Sequence, residues 1–269
     1  MSTVRTGPQI GLIVQIVLLA GLATTVGLGV AGWLAGLAYG AVTCLALVRG
    51  LRHAGSDRLG PADWVTMGRG LLVGGVTALI ADALIGGRPA PVAVLVAMTT
   101  VALALDAVDG KVARRTKTVS ALGARFDMEV DSFLVLMLSL YVAPSVGVWV
   151  LAIGVMRYAF LAASWALPWM DLQLPPRYWR KVVAAVQGIM LAVAASQVLP
   201  GLVTTIVLVT ALGLLVESFG RDVTWLWRQR TTTVRPVPAL LVPTVPIGVR
   251  RVERAEDRDL STAPVLSLR

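Results

Sequence analysis

Charge is scarce in this chain: Asp, Glu, Lys and Arg make up 14% of its 269 residues, against roughly 25% in soluble domains. That shortage excludes an ordinary water-soluble fold, because too few ionised groups remain to cover a surface. Cysteine is limited to Cys44, which lies in an apolar run, so no disulfide framework exists. Histidine is limited to His53, in a polar segment between Gly50 and Asp63, where a solvated side chain is the simplest reading. The first apolar stretch follows Arg5 without a small-residue cleavage site, so it reads as a retained anchor and not as a removable signal peptide.

Apolar residues are abundant instead, at 57%. They form runs close to the roughly 20 residues that a membrane-spanning helix needs. Spanning helices are expected near residues 9–28, 30–49, 64–85, 91–109, 126–143, 147–167, 182–199 and 201–219. The expected fold class is therefore all-α, a polytopic membrane helical bundle. Composition divides the chain into an N-terminal helix pair with a basic loop (1–60), a membrane core (61–220) and a Pro/Arg-rich tail (221–269). The tail lacks an apolar period and is expected to be disordered and cytoplasmic, its arginines attracted to anionic lipid headgroups.

The net charge of +9 does not imply nucleic acid, because in a membrane protein the placement of Lys and Arg matters more than their sum. With the N-terminus inside, the inner segments collect Arg5, Arg49, Arg52, Arg58, Arg69, Lys111, Arg114, Arg115, Lys117, Arg125, Arg177, Arg180, Lys181 and the tail arginines, whereas the outer turns hold only Arg88. The positive-inside rule then places both termini in the cytoplasm of a multi-pass cell-membrane protein. Gly32, Gly36 and Gly40 recur every four residues in the second helix, a spacing that suits close helix packing, within the chain or in a dimer. Pro61 and Asp63 open the third helix, with Asp63 expected as its N-cap.

The chemistry is expected between Asp106 and Asp131. Asp106 and Asp109 are three residues apart, and Asp127 and Asp131 four apart, so each pair shares one face of a helix. Two helices joined by a short basic loop would aim four carboxylates at one space near the inner membrane surface. Carboxylates without His or Cys suit Mg²⁺ or Mn²⁺, which commonly share phosphate oxygens of a substrate. Beside them, Gly110 permits close backbone approach and Arg114 offers a planar donor fork for phosphate. Arg157 lies midway along an apolar helix with no acid beside it, and a charge at that depth is functional by default. Lys181 and Gln187 begin a later helix at the inner surface, behind the aromatic and basic segment around Trp169, Tyr178 and Trp179.

The pattern Asp106-x2-Asp109-Gly110-x2-Ala113-Arg114-x8-Gly123-x3-Asp127-x3-Asp131 resembles the complete signature of the CDP-alcohol phosphotransferases. Thr66 and Arg69 are similar to the Thr-x2-Arg that begins the family's first core helix, although Asp63 stands where Asn is common. The resemblance implies a six-helix, homodimeric core, here preceded by two extra transmembrane helices, that transfers a phosphatidyl group from CDP-diacylglycerol to an alcohol and releases CMP. It implies that Asp106, Asp109, Asp127 and Asp131 bind divalent metal, with Asp131 also the general base. It further implies that Thr66, Gly110, Ala113, Arg114 and Gly123 serve the CDP moiety, and that Arg157, Lys181 and Gln187 line the acceptor side. The intramembrane arginine and Lys181 favour a phosphorylated acceptor such as inositol phosphate or glycerol phosphate. Glu129, between the last two acids, should point away from them by helical spacing. A transporter using the carboxylates as an ion or substrate site is the alternative; such sites sit near the bilayer midplane, whereas these acids fall at helix ends.

Overall fold

In a computed structural model of the full chain, the described residues are 6–54, 61–116, 121–170 and 178–230. They form eight α-helices and no strand: α1 (Thr6–Val26), α2 (Val30–Ala54), α3 (Pro61–Leu84), α4 (Val92–Thr116), α5 (Ala121–Val146), α6 (Leu151–Ala166), α7 (Tyr178–Ala195) and α8 (Gly201–Gln229). Six of these, α1, α2, α3, α5, α6 (with the 3-10 turn before it) and α8, are long and apolar enough to cross a membrane. Helix α4 is apolar over its described stretch Val92–Asp106 and continues to Thr116. A multi-pass helical bundle is thus the architecture.

Several element ends differ from those the sequence suggests. Helix α4 does not stop near residue 109 but runs to Thr116, since AVDGKVARRT has one glycine, no proline and good helix formers. Gly110, Ala113 and Arg114 therefore lie on a helix and not in a loop. Helix α5 likewise begins at Ala121, and α8 continues to Gln229, beyond the change in composition near Arg221. At about 1.5 Å per residue its 29 residues span roughly 43 Å, more than the roughly 30 Å hydrocarbon layer. Helix α3 opens at Pro61, whose fixed φ suits the first helical position. Asp63 thus falls inside the first turn and not at the N-cap, and its side chain lies outside the described residues.

Helix α3 is the hub. Within its apolar window 67% of residues are buried, against 17–33% for the other spans, and it packs against α1, α2, α4 and α5. The glycine ladder of α2 serves this packing inside the chain. A methyl group at Gly32 would lie 2.8 Å from the carbonyl oxygen of Ala78 on α3, and one at Gly36 would collide with Leu19 of α1. Absence of side chains here lets three backbones converge.

The two ends of the bundle are tied differently. At one end, the turn joining α1 to α2 contains Gly27, whose φ of 74° is a left-handed conformation that glycine adopts without strain. Gly29 N–H in that turn donates to Asp82 Oδ2 of α3 at 2.9 Å, and Arg88 donates to the carbonyl of Gly27. Asp82 is buried, so this bond replaces water that the backbone group would otherwise need. The opposite end gathers the start of α3, the end of the apolar run in α4 and the start of α5.

Candidate metal and phosphate site

Arg69 lies in the third turn of α3 and is 0% exposed. Its guanidinium reaches two neighbouring helices. Nη1 donates to Asp106 Oδ1 on α4 at 2.5 Å. Nη2 donates to Asp127 Oδ1 on α5 and to the Asp127 carbonyl oxygen at 3.1 Å, and it lies 3.3 Å from Asp131 Oδ1. Asp127 and Asp131 are one turn apart, which turns both carboxylates toward α3.

The three acids remain about a third to two-fifths exposed, at 39%, 34% and 40% of their side chains, over an arginine that water does not reach. One oxygen from each of Asp106, Asp127 and Asp131 lies within 4.8 Å of the others. Among the described residues, three carboxylates face one guanidinium at the mouth of the site. Hard oxygen donors that are partly open fit Mg²⁺ or Mn²⁺, which retain water and accept phosphate oxygens as further ligands. The backbone of α4 carries Asp109, Gly110, Ala113 and Arg114 along the turns after Asp106; their side chains lie outside the described residues. The pairing expected between Asp106 and Asp109 is therefore described for Asp106 alone.

Residues 60–216 match the family model described as CDP-alcohol phosphatidyltransferase. The chain belongs to that family. Neither a curated protein nor a solved structure matches it. Membership in the CDP-alcohol phosphatidyltransferases makes it a transferase of phospholipid synthesis that draws on a CDP-alcohol donor and an alcohol acceptor, in a family that generally uses divalent metal. The matched region begins just before α3 and ends within α8, so it contains the carboxylate cluster and leaves α1 and α2 outside.

The remaining residues of this CDP-alcohol phosphatidyltransferase that the sequence singles out are placed as follows. Thr66 is buried on α3, one turn before Arg69. Gly123 is half-buried near the start of α5, one turn before Asp127. Lys181 is exposed in the first turn of α7. Gln187 is buried between α7 and α8, where Nε2 donates to the carbonyl of Ala211 at 2.8 Å. Arg157 donates from Nη2 to Glu129 Oε1 at 2.5 Å. Glu129, opposite Asp127 and Asp131 on the helical wheel of α5, thus meets α6 while those two meet α3. Arg157, Lys181 and Gln187 are not among the residues that Arg69 draws together.

Arg69, which the sequence places in the Thr66-x2-Arg69 resemblance without a role, is the side chain on which the three acids meet. Near a helix start, an arginine at the membrane surface reads as a snorkelling side chain. Here it points inward and is sealed. The available signal was its place in Thr66-x2-Arg69, one turn from a residue already assigned to the donor side.

Proposed function

We propose that the protein transfers the phosphatidyl group of CDP-diacylglycerol to the hydroxyl of an alcohol and releases CMP, at the cytoplasmic surface of the membrane. The observation that carries this reading is the convergence of Asp106, Asp127 and Asp131 within 4.8 Å, at the end of a membrane bundle that belongs to a CDP-alcohol-using family.

Asp106, Asp109, Asp127 and Asp131 hold the divalent cation, Mg²⁺ or Mn²⁺, which supplies charge neutralisation for the diphosphate. Thr66, Gly110, Ala113, Arg114 and Gly123 bind the CMP portion, the glycines by permitting close backbone approach and Arg114 by its donor fork. Asp131 takes the proton of the acceptor hydroxyl. It lies 3.3 Å from Arg69, against 2.5 Å for Asp106. The acceptor oxygen forms a bond to the phosphorus that carries the diacylglycerol group. The bond from that phosphorus to the bridging oxygen breaks, and CMP departs with that oxygen and the bonding electron pair.

A phosphorylated alcohol, such as inositol phosphate or glycerol phosphate, is the acceptor this reading favours, on the strength of Lys181 and the basic segment before it. Arg157 joins that subsite once Glu129 releases it. CMP release by purified protein with CDP-diacylglycerol and Mg²⁺, across a panel of alcohols and alcohol phosphates, tests both levels. Release with one acceptor, lost in Asp131→Asn, is the expected result. Stimulation by a neutral alcohol with no response to any alcohol phosphate would sink the acceptor assignment. Folded protein that binds no CDP-diacylglycerol would sink the reaction class.

A further inference from the structure

Neither the transfer step nor the metal chemistry assigns a task to Arg69, yet it is the most enclosed charge of the site. Its guanidinium is permanently cationic and planar. At 0% exposure it has no water to balance that charge, so its partners are anionic side chains and a backbone carbonyl. Among the described residues those side chains include Asp106, Asp127 and Asp131, the same carboxylates whose oxygens converge within 4.8 Å. A divalent cation and the Arg69 fork therefore draw on the same three carboxylates. A cation that takes those oxygens weakens the pairing of a buried guanidinium, which is strongly unfavourable unless another anion replaces them.

A diphosphate is such an anion, with oxygens that suit the arginine fork once the carboxylates covering it turn to the metal. We infer that Arg69 is a positioning residue that gathers α4 and α5 carboxylates before metal arrives and makes cation binding depend on the diphosphate. Metal alone meets an internal competitor; metal with diphosphate releases the carboxylates and gives Arg69 a new partner. By reciprocity each ligand tightens the other. The inference rests on the transferase reading, which supplies the diphosphate.

The test is Mn²⁺ binding to the full chain in detergent, followed by electron paramagnetic resonance of the free ion, with and without CDP. In wild type, CDP should tighten Mn²⁺ about tenfold or more. Arg69→Gln should bind Mn²⁺ alone about tenfold tighter than wild type and keep less than about a twofold response to CDP. Arg69→Lys, which keeps the charge but not the fork, should restore only part of that response. A merely structural arginine would not give this pattern. Equal Mn²⁺ affinity with and without CDP in wild type would overturn the inference even if the glutamine variant fails to fold. Folded Arg69→Gln that binds Mn²⁺ no tighter than wild type would overturn it as well. Folded wild type that binds neither Mn²⁺ nor CDP would overturn the transferase reading and this inference together.

Discussion

Arg69 Nη1 meets Asp106 Oδ1 at 2.5 Å, joining the third turn of α3 to the end of the apolar run of α4. The residues are 37 positions apart in the chain, and their contact places the buried hub helix directly under the carboxylate cluster. With Asp127 and Asp131 on the same guanidinium, three helices are held at one point by charge.

Asp131→Asn keeps the shape of the side chain and leaves Arg69 paired to Asp106 and Asp127. The variant should fold with nearly unchanged thermal stability and lose CMP release by about 10²- to 10⁴-fold, the range for a removed general base. Wild-type turnover in this variant would assign the base elsewhere.

Chelation of divalent cations should abolish CMP release, and added Mg²⁺ or Mn²⁺ should restore it. Helical content by far-ultraviolet circular dichroism should stay constant throughout, because Arg69 still bridges the carboxylates without metal. Release that survives chelation would remove metal from the mechanism.

Gly32→Val should destabilise the bundle by about 1–3 kcal/mol through overpacking, since its Cβ would stand 2.8 Å from the Ala78 carbonyl oxygen. Gly213→Ala on α8 is the contrast, with nothing within 4 Å of the added methyl, and should be neutral or stabilising by up to about 1 kcal/mol. Thermal unfolding in the same detergent compares the two.

Asp82→Ala removes the acceptor of the Gly29 N–H at the end of the bundle away from the carboxylates. The unmet donor should cost about 1–3 kcal/mol, while turnover per folded molecule stays at the wild-type value. A lowered turnover at unchanged stability would tie this end to catalysis.

Glu129→Gln releases Arg157 from its ion pair, in which the two side chains are 51% and 29% exposed. A pair this open is worth about 0.2–1 kcal/mol, so the KM for an alcohol phosphate should fall by roughly 1.4- to 5-fold. An unchanged KM for alcohol phosphates, measured beside neutral alcohols, would remove Arg157 from the acceptor subsite.

Much of the site was legible because helical spacing is local. Asp127 and Asp131 announce a shared face by being four residues apart, and Glu129 announces the other face by lying between them. Arg157 shows where that legibility ends. It has no acid beside it in sequence, yet Glu129, 28 positions away, pairs with it once α5 and α6 pack. The Gly32, Gly36 and Gly40 ladder announces close packing without naming the surface it packs on; the fold supplies α1 and α3 of the same chain.

The sequence by itself determined the membrane class, the helical content and the face that Asp127 and Asp131 share, because apolar run length, 100° periodicity and residue type are properties of neighbouring residues. The tertiary structure decided which cation stands under the acids. Arg69 could have faced water, lipid or protein from its place near a helix start, and only the rotation of α3 against α4 and α5 turned it inward. A buried charge must find its opposite, and that partner is set by how helices cross, not by how residues follow one another.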